Sequence, residues 1–182
     1  MDSYNIGKAA GLATGIIIGL VCCVFVLKYM NKDKKLLTKY DERQQAARGR
    51  AYMYGFWAVM IATASVIVAE TAGFFPVAAF TRGFFIIFVG VIVQVSYSIF
   101  NDAYYGINTN KKRFMIVCII AGLCNLLGVI GSIKGGNFIE DGVMTDAGSN
   151  LLCVIMMFTI AVELLIKDRI DSAKVIDEES ED

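Results

Sequence analysis

The side chains able to do chemistry in this chain are few, and their spacing argues against an active centre. There is no histidine among the 182 residues, which removes His-based triads, His metal ligands and imidazole proton relays. The five cysteines, Cys22, Cys23, Cys118, Cys124 and Cys153, fall inside apolar stretches without a C-x-x-C pair. They read as small buried apolar residues rather than as a metal, redox or disulfide framework. No nucleophile and base stand at helical spacing and no glycine loop is built to cradle phosphate, so the sequence implies no catalytic residue, no metal and no cofactor. Three polar side chains draw attention because their surroundings are apolar: Gln94, Asn125 and Glu163. Gln94 and Asn125 are expected to form interhelical hydrogen bonds. Glu163 has Lys167 four residues on, in the favourable order, and is expected to pair with it near a helix end. Glu140, Asp141 and Asp146 miss the spacing of a calcium loop and read as part of a solvated turn.

The elements that must position these residues are set by where charge is absent. Residues 9–27, 51–69, 83–101 and 114–133 each form an uncharged window, long enough to cross a hydrocarbon core of about 30 Å. A fifth stretch, 151–166, is shorter and contains Glu163. The expected fold is an all-α integral membrane protein, a bundle of five transmembrane helices in one domain over residues 1–166, followed by an acidic, disordered tail over 167–182. Four crossings with an interfacial last helix is the alternative. No connecting segment is long enough for an independent folded domain. The first window has a basic segment behind it and no convincing cleavage site, so it reads as a retained anchor rather than a signal peptide.

Charge distribution orients the helices. With the N-terminus outside, fourteen of the seventeen basic residues fall on the inner side and only Lys8, Arg82 and Lys134 outside, in line with the excess of Lys and Arg in cytoplasmic loops. The expected topology is N-out, C-in, and the formal charge of zero is then a cancellation across a membrane. Tyr29, Tyr52, Tyr54, Trp57, Tyr97, Tyr104 and Tyr105 mark the inner ends, while Phe74, Phe75, Phe80, Phe84 and Phe85 mark the outer ones. Between Glu70 and Arg82, Gly73 and Pro76 interrupt the helical pattern.

Gly7, Gly11, Gly15 and Gly19 repeat G-x-x-x-G without a break along the first window. Residues four apart share a helix face, so this glycine zipper forms a groove that another backbone can approach closely. The partner is either another helix of the same chain or a second protein.

The segment 28–50 sets eight basic residues against Asp33, Asp41 and Glu42. Thr38 to Asp41 fits the [ST]-x-x-[DE] cap, predicting a helix that starts there and runs into the second crossing. Lys32, Lys34, Lys35, Lys39, Arg43, Arg48 and Arg50 are the candidates for contact with the anionic inner leaflet or a partner. Being tied to membrane flanks, they do not suggest nucleic acid. Tyr40-Asp-Glu-Arg-Gln44 followed by Arg48-Gly-Arg-Ala-Tyr52 resembles the DERQ…RG-x-A-Y juxtamembrane signature of small, uncharacterised multi-pass membrane proteins of Gram-positive bacteria. The resemblance spans about residues 38–60; it implies a bacterial plasma membrane and nothing catalytic.

Together these features predict a non-enzymatic, multi-pass protein of the plasma membrane, an accessory, regulatory or self-associating subunit that works through helix packing with itself or a membrane partner. A small oligomeric transporter or channel is the alternative.

Overall fold

The computed structural model describes residues 3–74 and 76–181, with side chains described at residues 7, 10, 11, 13–74 and 76–173. Phe75 and the side chain of Lys8, named above, lie outside the described residues, as do the side chains of the expected tail from residue 174 on. Five long helices carry the chain: α1 (Ser3–Met30), α2 (Glu42–Thr71), α3 (Ala79–Phe100), α4 (Lys111–Lys134) and α5 (Gly148–Glu181). Each holds a stretch long and apolar enough to cross a membrane, and no more than 22% of any such stretch is buried within the chain. Surfaces this apolar are rare on proteins that face only water. The fifth helix meets the same criterion over 26 residues, Gly148–Ala173.

The contacts divide the chain into two units, residues 1–39 with 106–117, and residues 40–105 with 118–182. In the first unit, α1 ends at Met30 and the chain folds back in a compact loop. Asn31, only 1% exposed, donates through Nδ2 to the Lys35 carbonyl at 2.8 Å. Lys34 turns the loop with φ of 54°. The loop is braced by residues 106–110: Asn31 and Thr109 form an antiparallel bridge, and Asn110 N donates to Met30 O at 2.8 Å.

In the second unit α3 packs against both α2 and α5. The α2 face turned inward is a line of small residues, with Ala47, Ala51, Gly55, Ala62 and Val66 all buried. Gly55 and Gly90 meet where α2 and α3 come together: a Cβ on Gly55 would lie 3.0 Å from the Gly90 carbonyl oxygen, and one on Gly90 would collide with Val59 Cγ2. Small residues allow this approach because they let two helix backbones pack closely. α2 starts later than Thr38. Asp41 is the N-cap and completes a capping box with Gln44, because Gln44 stands three residues on and can return a bond to the cap, as no residue does for Thr38.

The segment 134–150, expected to be a plain turn, contains a hairpin of β1 (Ile139–Glu140) and β2 (Val143–Met144). Asp141 and Gly142 turn it with φ of 49° and 77°, the two positive values that an Asp-Gly hairpin turn supplies at low strain. Residues 76–78 lie alongside: Met144 N donates to Pro76 O and Ala78 N donates to Met144 O. The α5 backbone continues as helix to Glu181, with no Pro or Gly after Gly148 to break it and the Lys167–Asp171 ion pair spanning one turn.

Candidate functional site

The polar residues of the second unit converge where α2 begins, α3 ends and α5 passes. Asp41 Oδ1 accepts from Gln44 N at 2.7 Å, and Gln44 Oε1 accepts from Asp41 N at 3.3 Å. Its carbonyl thus occupied, Gln44 uses Nε2 to donate to the carbonyls of Asp102 at 2.8 Å and Tyr105 at 3.1 Å. One turn on, the Arg48 guanidinium stacks 4.1 Å from the Tyr40 ring centre and donates to Tyr52 Oη at 2.9 Å. Arg50 donates to Tyr97 Oη at 3.1 Å. From α5, Lys167 bridges Asp102 at 2.9 Å and Asp171 at 2.7 Å. Burial pushes the phenols of Tyr104 and Tyr105 well above their ordinary range, so both remain neutral hydroxyls. The D-E-R-Q…R-G-R-A-Y segment is therefore a clamp that joins the start of α2 to the end of α3 and the residues after it, and Lys167 ties α5 to the same Asp102. The segment's one exposed basic side chain without such a role is Arg43, on the outer side of the first turn.

Lys167 is thereby taken from Glu163, and the expected pair does not form. Glu163 turns to α3 instead, where Ser96 Oγ donates to its Oε1 at 2.6 Å. Its Oε2 is buried and has no hydrogen-bond partner among the described residues. The reason is competition: Asp102 and Asp171 offer Lys167 two carboxylates toward the polar end of the helix. A buried unsatisfied polar atom costs about 1–3 kcal/mol, more when charged. Ser96 also lines an open groove of about 380 Å³ with Tyr54, Tyr97 and Phe100. Ser96 is the residue of this contact that the sequence does not signal, because a serine in an apolar helix usually bonds its own backbone, as Ser98 does to Gln94 O.

The other expected polar residues behave differently. Asn125 donates within its own helix, to Ala121 O at 2.8 Å, rather than across to a neighbour. Gln94 lies on the α3 face against α2, where its Cβ would be 3.1 Å from a Cβ on Gly55. Cys22, Cys23 and Cys124 are exposed on the chain surface, not buried as expected, while Cys118 is buried and Cys153 intermediate. An apolar helix face need not turn inward when lipid can solvate it. On α1, a Cβ built at Gly7, Gly11, Gly15 or Gly19 meets no described atom of its own unit within 4 Å.

Lys32, Lys34, Lys35 and Lys39 belong to the first unit and are exposed. Their loop is organised by Asn108. Its Nδ2 donates to Asp33 Oδ1 and Leu37 O, each at 3.1 Å, and its Oδ1 accepts from Lys39 N at 2.9 Å. The Asp33 carboxyl is held below its usual range by the Lys35 backbone N–H, helped by Asn108 and the Lys35 and Lys39 charges.

These features define a predominantly helical chain with, among its described residues, five helices of membrane-crossing length and apolarity, a clamp at one end of α2, and an unsatisfied carboxyl oxygen between α3 and α5. Comparison with protein-family models, with curated proteins and with solved structures finds no match to this chain.

Proposed function

We propose that this chain is a non-enzymatic, five-crossing protein of the bacterial plasma membrane, oriented N-out and C-in, that self-associates through α1 as an accessory or regulatory subunit. The observation that carries this reading is the bare glycine face of α1: among the described residues its Ala13–Met30 stretch buries none, and within its own unit none of its four glycines has a described neighbour where a Cβ would stand. Four glycines in register give a second copy of α1 a surface for close backbone approach, and close packing is the main attraction left to helices already in lipid. The orientation follows the basic residues, and the bacterial source follows the juxtamembrane likeness.

Crosslinking of the chain in mild detergent, through a cysteine placed beside the glycine face, tests the association. We expect a dimer or small oligomer that Gly15→Leu abolishes; a chain that stays monomeric at every protein concentration would remove the reading. Labelling of residues 134–150 from the cytoplasmic side would overturn the orientation.

A second reading, a small oligomeric transporter or channel, is favoured by the unpartnered Oε2 of Glu163, since ionisable groups kept at membrane depth usually serve transport. Proton or cation flux from reconstituted vesicles, lost in Glu163→Gln, would support it. Equal flux from the variant and the parent would remove it.

A further inference from the structure

Two segments far apart in sequence, residues 28–39 and 106–117, fold into one unit, and between them they hold eight basic residues against the single acid Asp33. Lys32, Lys34, Lys35, Lys39 and Lys112 are exposed on it. The arrangement is built rather than loose. Lys32 N donates to Asn108 O at 2.7 Å and Ile107 N donates to Lys39 O at 2.9 Å. Gly106 allows the second segment to come so close that a Cβ there would lie 2.6 Å from Lys39 O. Arg113 donates to Tyr29 O at 3.2 Å and so fastens the start of α4 to the last turn of α1. At the tip of the same loop, between the lysines, Leu36 is 43% and Leu37 78% exposed.

We propose that this two-segment platform is a binding site for the phosphate headgroup of an anionic phospholipid, with Leu37 inserted into the acyl boundary. Charge selects the anion. Two further features select a lipid over a soluble polyanion: a free anion gains nothing from a leucine 78% exposed beside it, and the platform is continuous with the ends of α1 and α4, which places it at the membrane surface. That placement rests on α1 and α4 being crossings. Asn108 is a positioning residue that holds Asp33, Leu37 and Lys39 in one arrangement. A basic flank that only sets topology would work by charge alone and would not need it.

The test uses the full chain in mild detergent and a fluorescent phosphatidylglycerol, displaced by unlabelled phosphatidylglycerol, phosphatidylcholine or inorganic phosphate. We expect phosphatidylglycerol to compete at least tenfold better than phosphatidylcholine, and phosphate to compete poorly. Lys34→Gln and Lys35→Gln should each weaken binding about fivefold, as expected for a basic residue lost beside anionic lipid. Asn108→Ala and Leu37→Ser leave net charge unchanged and should weaken it by a similar factor. Leu37→Ser alters an exposed tip, so it answers even if Asn108→Ala disturbs folding. The proposal is overturned if the lysine variants weaken binding while both neutral variants leave it intact, or if inorganic phosphate displaces the probe as well as the lipid does. Failure of the parent chain to co-float with vesicles would instead remove the membrane reading beneath it.

Discussion

Two stripes of small residues run along helices of this chain at the same spacing. On α1 they are Gly7, Gly11, Gly15 and Gly19; on α2 they are Ala47, Ala51 and Gly55. The α2 stripe is closed, with Ala47 2% and Ala51 0% exposed and Gly55 against Gly90 and Gln94 of α3. The α1 stripe is the more regular and meets no described residue of its own unit. Small residues permit a helix contact but do not create one, because a helix already in lipid gains little by leaving it. What α2 has in addition is a tethered partner. Only seven residues separate it from α3, and a short connection makes consecutive helices neighbours. The Glu70–Arg82 ion pair fastens that connection, and the Gln44 and Arg50 bonds to the Asp102 carbonyl and Tyr97 fasten the opposite end. The α1 stripe ends in a loop braced from the side by residues 106–110, which fixes the helix end and leaves the glycine face open.

The contrast is broken most directly by filling each stripe with the same side chain. Gly90→Leu must displace Val59 and press on the Gly55 carbonyl; overpacking of this kind costs about 1–3 kcal/mol and often more where backbone is the obstacle. We expect a clear fall in the thermal unfolding midpoint of detergent-solubilised monomer. Gly15→Leu should change that midpoint by no more than about 0.5 kcal/mol in equivalent stability, acting on association alone. If Gly15→Leu depresses the monomer as far as Gly90→Leu does, the α1 face is packed within the chain and the distinction fails.

A smaller effect separates neighbours within the clamp. Gln44→Ala removes one half of the capping box and both bonds to the carbonyls of Asp102 and Tyr105. Losing a cap costs about 1 kcal/mol and each of the two neutral hydrogen bonds about 0.5–1.5 kcal/mol, so a loss of roughly 2–4 kcal/mol is expected. Arg43→Ala, one residue earlier and exposed, should stay within about 0.5 kcal/mol of the parent. Urea unfolding followed by helicity would report both. Equal losses would mean that the four-residue motif works through its charge and not through the cap.

How far these features could be read in advance depends on how local their causes are. The five apolar stretches are composition, and each falls on a helix, the third overrunning α3 by its C-cap Asn101; the ends moved because Asp41 caps better than Thr38 and because nothing stops α5 at Ile166. The hairpin was legible in principle, since Asp141-Gly142 between Ile139-Glu140 and Val143-Met144 carries the two-residue turn signal. The Glu163–Lys167 pairing failed because a favourable i to i+4 order describes an isolated helix, whereas Asp102 reaches Lys167 from 65 positions away in the chain. Ser96 and Asn108 were illegible for the same reason. Their partners lie 67 and up to 75 residues distant, and no periodicity marks them.

The finest distinction concerns the two acids that flank the gap between the stripes, Asp33 after α1 and Asp41 before α2. Asp41 caps a helix, whereas Asp33 is held by a loop whose partners come from Lys35 and, across the unit, from Asn108. Because the folded loop lowers the Asp33 carboxyl below its ordinary value, the charged form is the one it favours. The resulting stability is present above the ordinary carboxylate range and is lost as pH falls through the lowered folded value. Carboxyl-carbon NMR of Asp33 in the intact chain should therefore titrate below the same group in the unfolded chain. Asn108→Ala should move that midpoint only part of the way back, since the Lys35 backbone N–H is the larger cause. A full return would make Asn108 the main hold on the carboxylate, and no displacement in the parent chain would mean that the loop after α1 is as open as the glycine face before it.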